Sequence, residues 1–592
     1  MEINTHKLNA FVGQLVAAPP FYGGHLVAVM LILVGCDRSV APTVAAPSKP
    51  SAAAAASTTM AHLPSSTANW AGGAQLFKGL GGVDRAITTT SSEAQTYFDQ
   101  GITLMWSFNH DEATRSFAKA AELDPHCAAC YWGVSLTVGP NYNLPFLTEE
   151  RAKVAFEALH LAEANAASAS PVEQALITAL GKRYPSARPL DSTSAQPVLT
   201  EYAAAMKEVA SRYPDDLDIA TLYAESMMNL HAWKLWSSDG KPAPGTEEIL
   251  ATLEAVLKRN PRHPGANHYY VHALEASPHP ESALASADLL RDLVPGAGHL
   301  VHMPAHILQR IGRYEDAAEA NRRASRADDA YTAKTTPPDY YPVMYTAHNH
   351  QFRAYSTAME GRQTETIEAV DASRRTAPDS MLLEMPGSDW YVAELYSARV
   401  RFGLWDEILT LPAPSDKLPG LMTGYLFSRT IAQASTGRIA EAEQSLAALK
   451  AFAAAVAPDA SAGQNTLKDI LAIAVPVAEG RIANAKRDAH REITLLRQAV
   501  LAEDRIAYDE PKNWFFPVRH LLGAAQLRAG DAREAERVYR EDLKQNPANG
   551  WSLYGLAAAL RAEGKALEAA ATERAFNVAW AHADVTLAAS AF

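Results

Sequence analysis

The chain has 592 residues, of which 48% are hydrophobic and 20% charged, and a formal net charge of −13. This composition suits a protein that buries a large core, and the length allows several domains or one long repeat array. The acidic balance argues against a nucleic-acid surface, which needs basic stripes, and abundant alanine with few β-branched runs favours helix.

Residues 26–36 read LVAVMLILVGC. The apolar run 26–34 is too short to span a bilayer and suits the hydrophobic part of a signal. Leu33, Val34, Gly35 and Cys36 resemble the lipobox of bacterial lipoproteins. The resemblance implies that residues 1–36 are a lipoprotein signal and that Cys36 becomes the lipidated first residue of a mature envelope protein facing the periplasm. Residues 37–72 are rich in Ala, Pro, Ser and Thr. Such a stretch buries too little apolar surface to fold and is expected to be a disordered tether. Residues 73–592 then form the body.

From Glu93 the chain is periodic. Gly101, Ala113, Phe117, Ala120 and Pro125 mark one unit, and four of these, Gly101, Ala113, Phe117 and Pro125, recur in type and spacing near the other end as Gly523, Ala535, Tyr539 and Pro547, with Gly530 between. A further unit begins near Gly550, and others near Pro264, Gly298, Ala347, Asp389 and Met422. These residues resemble the tetratricopeptide repeat (TPR), a helix–turn–helix unit of 34 residues, over most of 90–590. The resemblance implies an all-α fold, a right-handed α-solenoid in which stacked helix pairs share one continuous core. Gly312, Gly361, Gly403, Gly437 and Gly530 are expected to turn the chain within pairs. Pro295, Pro378 and Pro547 are expected to end second helices. The signature weakens around 145–215 and 455–510, and an insertion at 237–245 (SSDGKPAPG) is expected to make a rim loop.

Cys127 and Cys130 follow Pro125 at a helix start. In an oxidising envelope they are expected to form a disulfide. The alternative is a redox dithiol, since a helix N-terminus stabilises thiolate. A c-type haem needs histidine directly after the second cysteine, and Tyr131 stands there.

Residues 299–307 read HLVHMPAHI, and nine of the 19 histidines fall between His263 and His350. His268/His272 and His302/His306 are i,i+4 pairs, so each shares one helix face. In the TPR family the second, fifth and ninth positions of the first helix face the concave groove. Carried onto the units at Pro264, Gly298 and Ala347, this implies that His268, His272, His299, His302, His306 and His348 line one inner surface within 264–350. Neighbouring helices lie roughly 8–10 Å apart, a gap two inward imidazoles can bridge to a shared ion with bonds of about 2.0–2.1 Å. Imidazole ligation suits Zn, Cu, Ni or Fe without choosing among them. Glu275, one turn beyond His272, is a possible ligand, a partner of a ligand, or a catalytic base. Glu225 and His231 are looser candidates, while His263, His279 and His350 are expected to be capped or solvated. Tyr340, Tyr341 and Trp514 are expected to wall the groove, with loops at 140–143 and 510–514 narrowing its mouth.

No Ser-His-Asp constellation, P-loop or dinucleotide fingerprint is present. The expected function is a lipid-anchored envelope TPR protein that binds a protein or peptide in its groove, holds a transition metal there, touches the membrane only through its lipid, and binds no nucleic acid. A metal-dependent enzyme of hydrolytic or oxidative type and a plain scaffold without metal stay open as alternatives, so whether it is an enzyme is left undecided.

Overall fold

Phe117 shows how the helix pairs lock together. Helix Ser92–Trp106 begins at Ser91, whose side chain accepts the Ala94 N–H, and the chain returns as helix His110–Leu123. Phe117 from the returning helix is buried between Gly101 of its own pair and Gly133 of the next helix, Ala128–Thr137. A Cβ at Gly101 would stand 2.6 Å from the ring, so a small residue is needed on both sides of the aromatic. The same arrangement recurs at the far end, where Tyr539 lies between Gly523 and Gly555. Sequence spacing and packing therefore express one rule: an aromatic knob, with a glycine in each neighbouring helix.

The computed structural model describes residues 64–592 apart from 146, 192, 193, 336, 338 and 339. The signal, Cys36 and the start of the tether lie outside the described residues. Helices dominate and pack chiefly on those before and after them in the chain. The fold is an all-α solenoid. Among the described residues the only paired strands are the short hairpin Ser461–Ala462 with Asn465–Thr466, in a region where the repeat signature fades. No helix among them is long and apolar enough to cross a membrane.

The turns follow expectation. Gly312 and Gly361 have φ of 80° and 72°, left-handed values that cost a residue with a Cβ and cost glycine little. Helices ending at Leu293, Thr376 and Gln545 are each followed two residues later by proline. Cys127 and Cys130 are buried and disulfide-bonded at the start of helix Ala128–Thr137.

Two features depart from expectation. The ordered body starts before residue 73. Thr67–Trp70 is a short helix, Thr67 donates from N and Oγ1 to Glu157 Oε2 at 2.9 and 3.1 Å, and Trp70 is buried beneath Arg115. One tryptophan supplies the apolar surface that the flanking Ala/Ser/Thr residues lack. Second, the C-terminal units fold back onto the middle of the chain. Trp551 Nε1 donates to the Ala358 carbonyl at 2.8 Å, and Trp580 packs over Gly361. This return carries the loop at 508–512 onto the histidine segment.

Candidate metal centre

Helix Pro264–Glu275 carries His268 and His272 on one face. It starts at His263, whose Nδ1 accepts the Ala266 N–H at 3.1 Å while Nε2 faces Asp218 at 3.0 Å. His263 is thus a cap, as expected. HLVHMPAHI is not one helix. It forms Gly298–His302 and Pro304–Arg310, with Met303 between them still in the right-handed region. Pro304 has no N–H to donate and interrupts the ladder there. His348 lies at the start of helix Ala347–Met359, directly after a π-helical turn, Pro342–Thr346. Such turns are rare and concentrate at functional sites.

All six histidines meet, but not on an open groove. His268 and His302 are 0% exposed, His272 1%, His306 2% and His299 5%, with only His348 half-buried. They form two triads, His268/His272/His299 and His302/His306/His348, in each of which one ligand atom per residue lies within 4.8 Å of the others. The triads adjoin: the His272 and His306 rings are 5.5 Å apart, and those of His299 and His302 5.7 Å.

Acceptors behind the rings set their tautomers. His268 Nδ1 lies 2.6 Å from the Trp106 carbonyl, so Nδ1 carries the hydrogen and Nε2 the lone pair. Asn321 donates Nδ2 to the Ala317 carbonyl, which turns its Oδ1 to His302 Nδ1 at 2.7 Å. Glu275 accepts from His272 Nδ1 at 3.0 Å and from His306 Nδ1 at 2.8 Å, and the Glu510 carboxylate also contacts His306 Nδ1. Four Nε2 lone pairs therefore point inward. His268 Nε2 stands 3.2 Å from His299 Nε2, His302 Nε2 stands 2.6 Å from His306 Nε2, and buried His272 Nε2 has no partner. Metal-ligating histidines carry this same back-side hydrogen bond, which orients the ring and raises its basicity.

Burial, reinforced by neighbouring imidazoles, holds His268, His272, His299 and His302 well below the usual histidine pKa, and lowers His348 to about 3. These rings are neutral, the form that binds metal. Burial first, and then Glu510, raises Glu275 to about 8, and burial lifts Glu510 well above the carboxylate range. These two adjacent carboxyl groups ionise only at a cost where no cation is near, and a cation in the chamber would favour their ionised, acceptor-only form.

Aromatic rings seal both triads. Phe108, in the left-handed region at φ 53°, sets its ring 4.5 Å from His268 and within 5.7 Å of His272 and His299. Phe352 lies within 4.9 Å of His302, His306 and His348. Tyr142 and Trp233 cover His272. A cavity of about 70 Å³ remains between the triads, touching His272, His299, His306, His348, Asp509 and Glu510. An open cleft of about 770 Å³ lies beyond, bounded by residues 237–240 of the 237–245 insertion, Arg310, Tyr508, Lys512 and Trp514.

Several expected site residues stand elsewhere. Tyr340 lies under the Arg151 guanidinium, and Tyr341 donates its hydroxyl to Asp328 at 2.9 Å. Trp514 is buried on Phe427 and Phe516 and reaches only the outer cleft. None of the three walls the histidine chamber, because each finds its partners in the core instead. Glu225 accepts from Asn229 at 2.6 Å and, like His231, belongs to none of the clusters. His279 is exposed. Glu275 is no free base, since both of its oxygens are committed to imidazoles. The residues 140–143 and 510–514 do reach the chamber, through Tyr142 and Glu510. Asn321, Phe108, Phe352 and the Trp106 carbonyl carried no signal in the sequence.

No protein-family model and no curated protein matches the chain. Solved structures with a similar succession of helices include the human IFIT1 dimer with m7Gppp-AAAA, 12% identical, spanning 83% of this chain and 91% of that one at a TM-score of 0.29. Another is Naa15/Naa10 bound to HypK-THB, at 12% identity, 82% and 71% coverage and a TM-score of 0.20. The P58(IPK) TPR domain aligns at 14% identity, 80% and 99% coverage and a TM-score of 0.18. On its own helix pairs, glycine turns and aromatic knobs, the chain is an all-α solenoid of TPR-like units.

Proposed function

We propose that this protein is a transition-metal-binding solenoid that holds the metal in its interior, on histidines of the 264–350 segment. One observation carries the reading: His268, His272, His302 and His306 each spend Nδ1 on a fixed acceptor and turn Nε2 inward, where His272 Nε2 is buried without a partner. A buried polar atom left unpaired costs on the order of 1–3 kcal/mol, and the His302 and His306 Nε2 atoms, 2.6 Å apart with both Nδ1 atoms already donating, can share a hydrogen only if one ring is protonated on both nitrogens. A cation removes both penalties. Imidazole donors suit Zn, Cu, Ni or Fe.

The room beside the histidines is about 70 Å³, enough for a few water-sized molecules. Any chemistry at the metal is therefore limited to a small molecule, or to the tip of a larger one entering past residues 508–512. The open cleft, and not the histidine surface, is the place for a protein or peptide partner. With Cys36 lipidated, as the LVGC motif suggests, the centre would sit in the bacterial envelope.

The test is elemental analysis of the purified full chain, with His268→Ala and His302→Ala beside it. Near-stoichiometric metal in the parent and a loss in both variants is expected. A parent that stays metal-free after incubation with Zn²⁺, Cu²⁺, Ni²⁺ and Fe²⁺ in turn rejects the reading.

A further inference from the structure

We infer that the chamber takes two metal ions, one on His268/His272/His299 and one on His302/His306/His348, with Glu275 joining the two ligand sets from behind. The inference rests on the proposed metal-binding reading and deepens it. Nitrogens sharing one ion at bonds of about 2.1 Å stand no more than about 4.2 Å apart, and about 3.4 Å at a tetrahedral angle. The His268–His299 separation of 3.2 Å already meets that spacing, and the 2.6 Å between His302 and His306 needs to open by less than an ångström. The donor atoms group by threes among the described residues: two groups are all histidine, and a third, His272/Glu275/His306, takes one ring from each triad and joins them through Glu275. One ion can satisfy one set and leave the other with lone pairs still facing inward.

Three further observations favour two ions. Each triad has its own pair of rings with fixed tautomers: His268 and His272 on the Trp106 carbonyl and Glu275, His302 and His306 on Asn321 and Glu275. Each has its own phenylalanine, Phe108 over the first and Phe352 over the second. Two buried carboxyl groups, Glu275 and Glu510, sit directly behind the ligands, matching two cations better than one. The cavity of about 70 Å³ touches His272 and His299 of one triad and His306 and His348 of the other. A water or hydroxide placed there lies against rings of both triads. Three protein ligands plus one small oxygen donor complete four-coordination at each, so the class of exogenous ligand is a small oxygen donor that bridges the pair.

The experiment loads the metal-free full chain with Zn²⁺, removes excess by gel filtration and counts bound zinc. A parallel Co²⁺ titration follows the visible absorbance of four-coordinate cobalt. Two equivalents in the parent are expected by both methods, with one equivalent left in His299→Asn and one in His348→Asn. A parent that saturates at one equivalent overturns the inference and leaves the metal-binding reading standing. A parent that binds none overturns both. Two equivalents in the parent, with both lost or both kept in each single variant, overturns the assignment of one ion to each triad. The parent stoichiometry needs no variant to fold.

Discussion

Replacing Glu275 with glutamine changes one atom's chemistry and almost no volume. The carboxylate accepts from His272 Nδ1 at 3.0 Å and His306 Nδ1 at 2.8 Å. A glutamine amide accepts through its oxygen alone and donates through its nitrogen. Its oxygen, set where Oε2 stands, still lies 2.8 Å from His306 Nδ1 and 3.1 Å from His272 Nδ1, but the second ring, His272, then also meets the amide nitrogen 3.0 Å away, donor against donor. That second ring must move its hydrogen to Nε2, and a protonated Nε2 is no ligand. Loss of such a back-side partner typically weakens metal binding 10–100-fold, or roughly 1.4–2.7 kcal/mol. The assay is competition for Zn²⁺ against a chelator of known affinity, with thermal unfolding of the metal-free protein as control. One triad should weaken by that factor while the other changes little. Glu510→Gln, which removes a carboxylate from His306 alone, should affect only the second triad. Glu275→Gln binding within twofold of the parent at both triads would refute the claim that the acceptors behind the rings dictate their tautomers.

Asn321→Leu removes the acceptor that fixes His302, and should weaken the second triad about tenfold with the first unchanged, by the same competition. Phe117→Ala opens a void between Gly101 and Gly133 and should cost about 3–5 kcal/mol in denaturant unfolding. His110 is buried, and that burial, aided by Arg183 and Arg151, lowers its pKa to about 3. Unfolding lets it take up a proton below pH 6.5 that the native state refuses. Its contribution is therefore fully present above pH 6.5 and lost as pH falls toward 3, by up to about 5 kcal/mol. His110→Gln should flatten the acid limb of a stability–pH curve, and an unchanged limb would exclude His110 as its source. Cys127→Ser combined with Cys130→Ser closes no loop and should cost about 2 kcal/mol by chain entropy. Bound metal should be unaltered, whereas a change in metal content would tie the pair to the centre.

The repeat architecture was legible because its determinants are local. Phe117 needs small residues at Gly101 and Gly133, a relation written into spacing and repeated by Tyr539. The helix-face pairs His268/His272 and His302/His306 were legible for the same reason, since periodicity within a helix is a property of the segment. Repeat phase extended this to His299 and His348. Burial was not legible. The groove position of these residues suggested an exposed surface, and Phe108, Tyr142, Trp233 and Phe352, with Glu510 brought in by the returning chain, cover it.

The sequence by itself determined that six imidazoles would come together, because equivalent turns of stacked repeats lie side by side. Only the tertiary structure decided that they separate into two triads and which nitrogen four of the rings, His268, His272, His302 and His306, offer. Those outcomes depend on acceptors contributed from far along the chain, such as the Trp106 carbonyl, Asn321 and Glu510. Hydrogen bonds to an imidazole are short-ranged and directional, so their partners follow from where the chain folds back and not from any spacing within it.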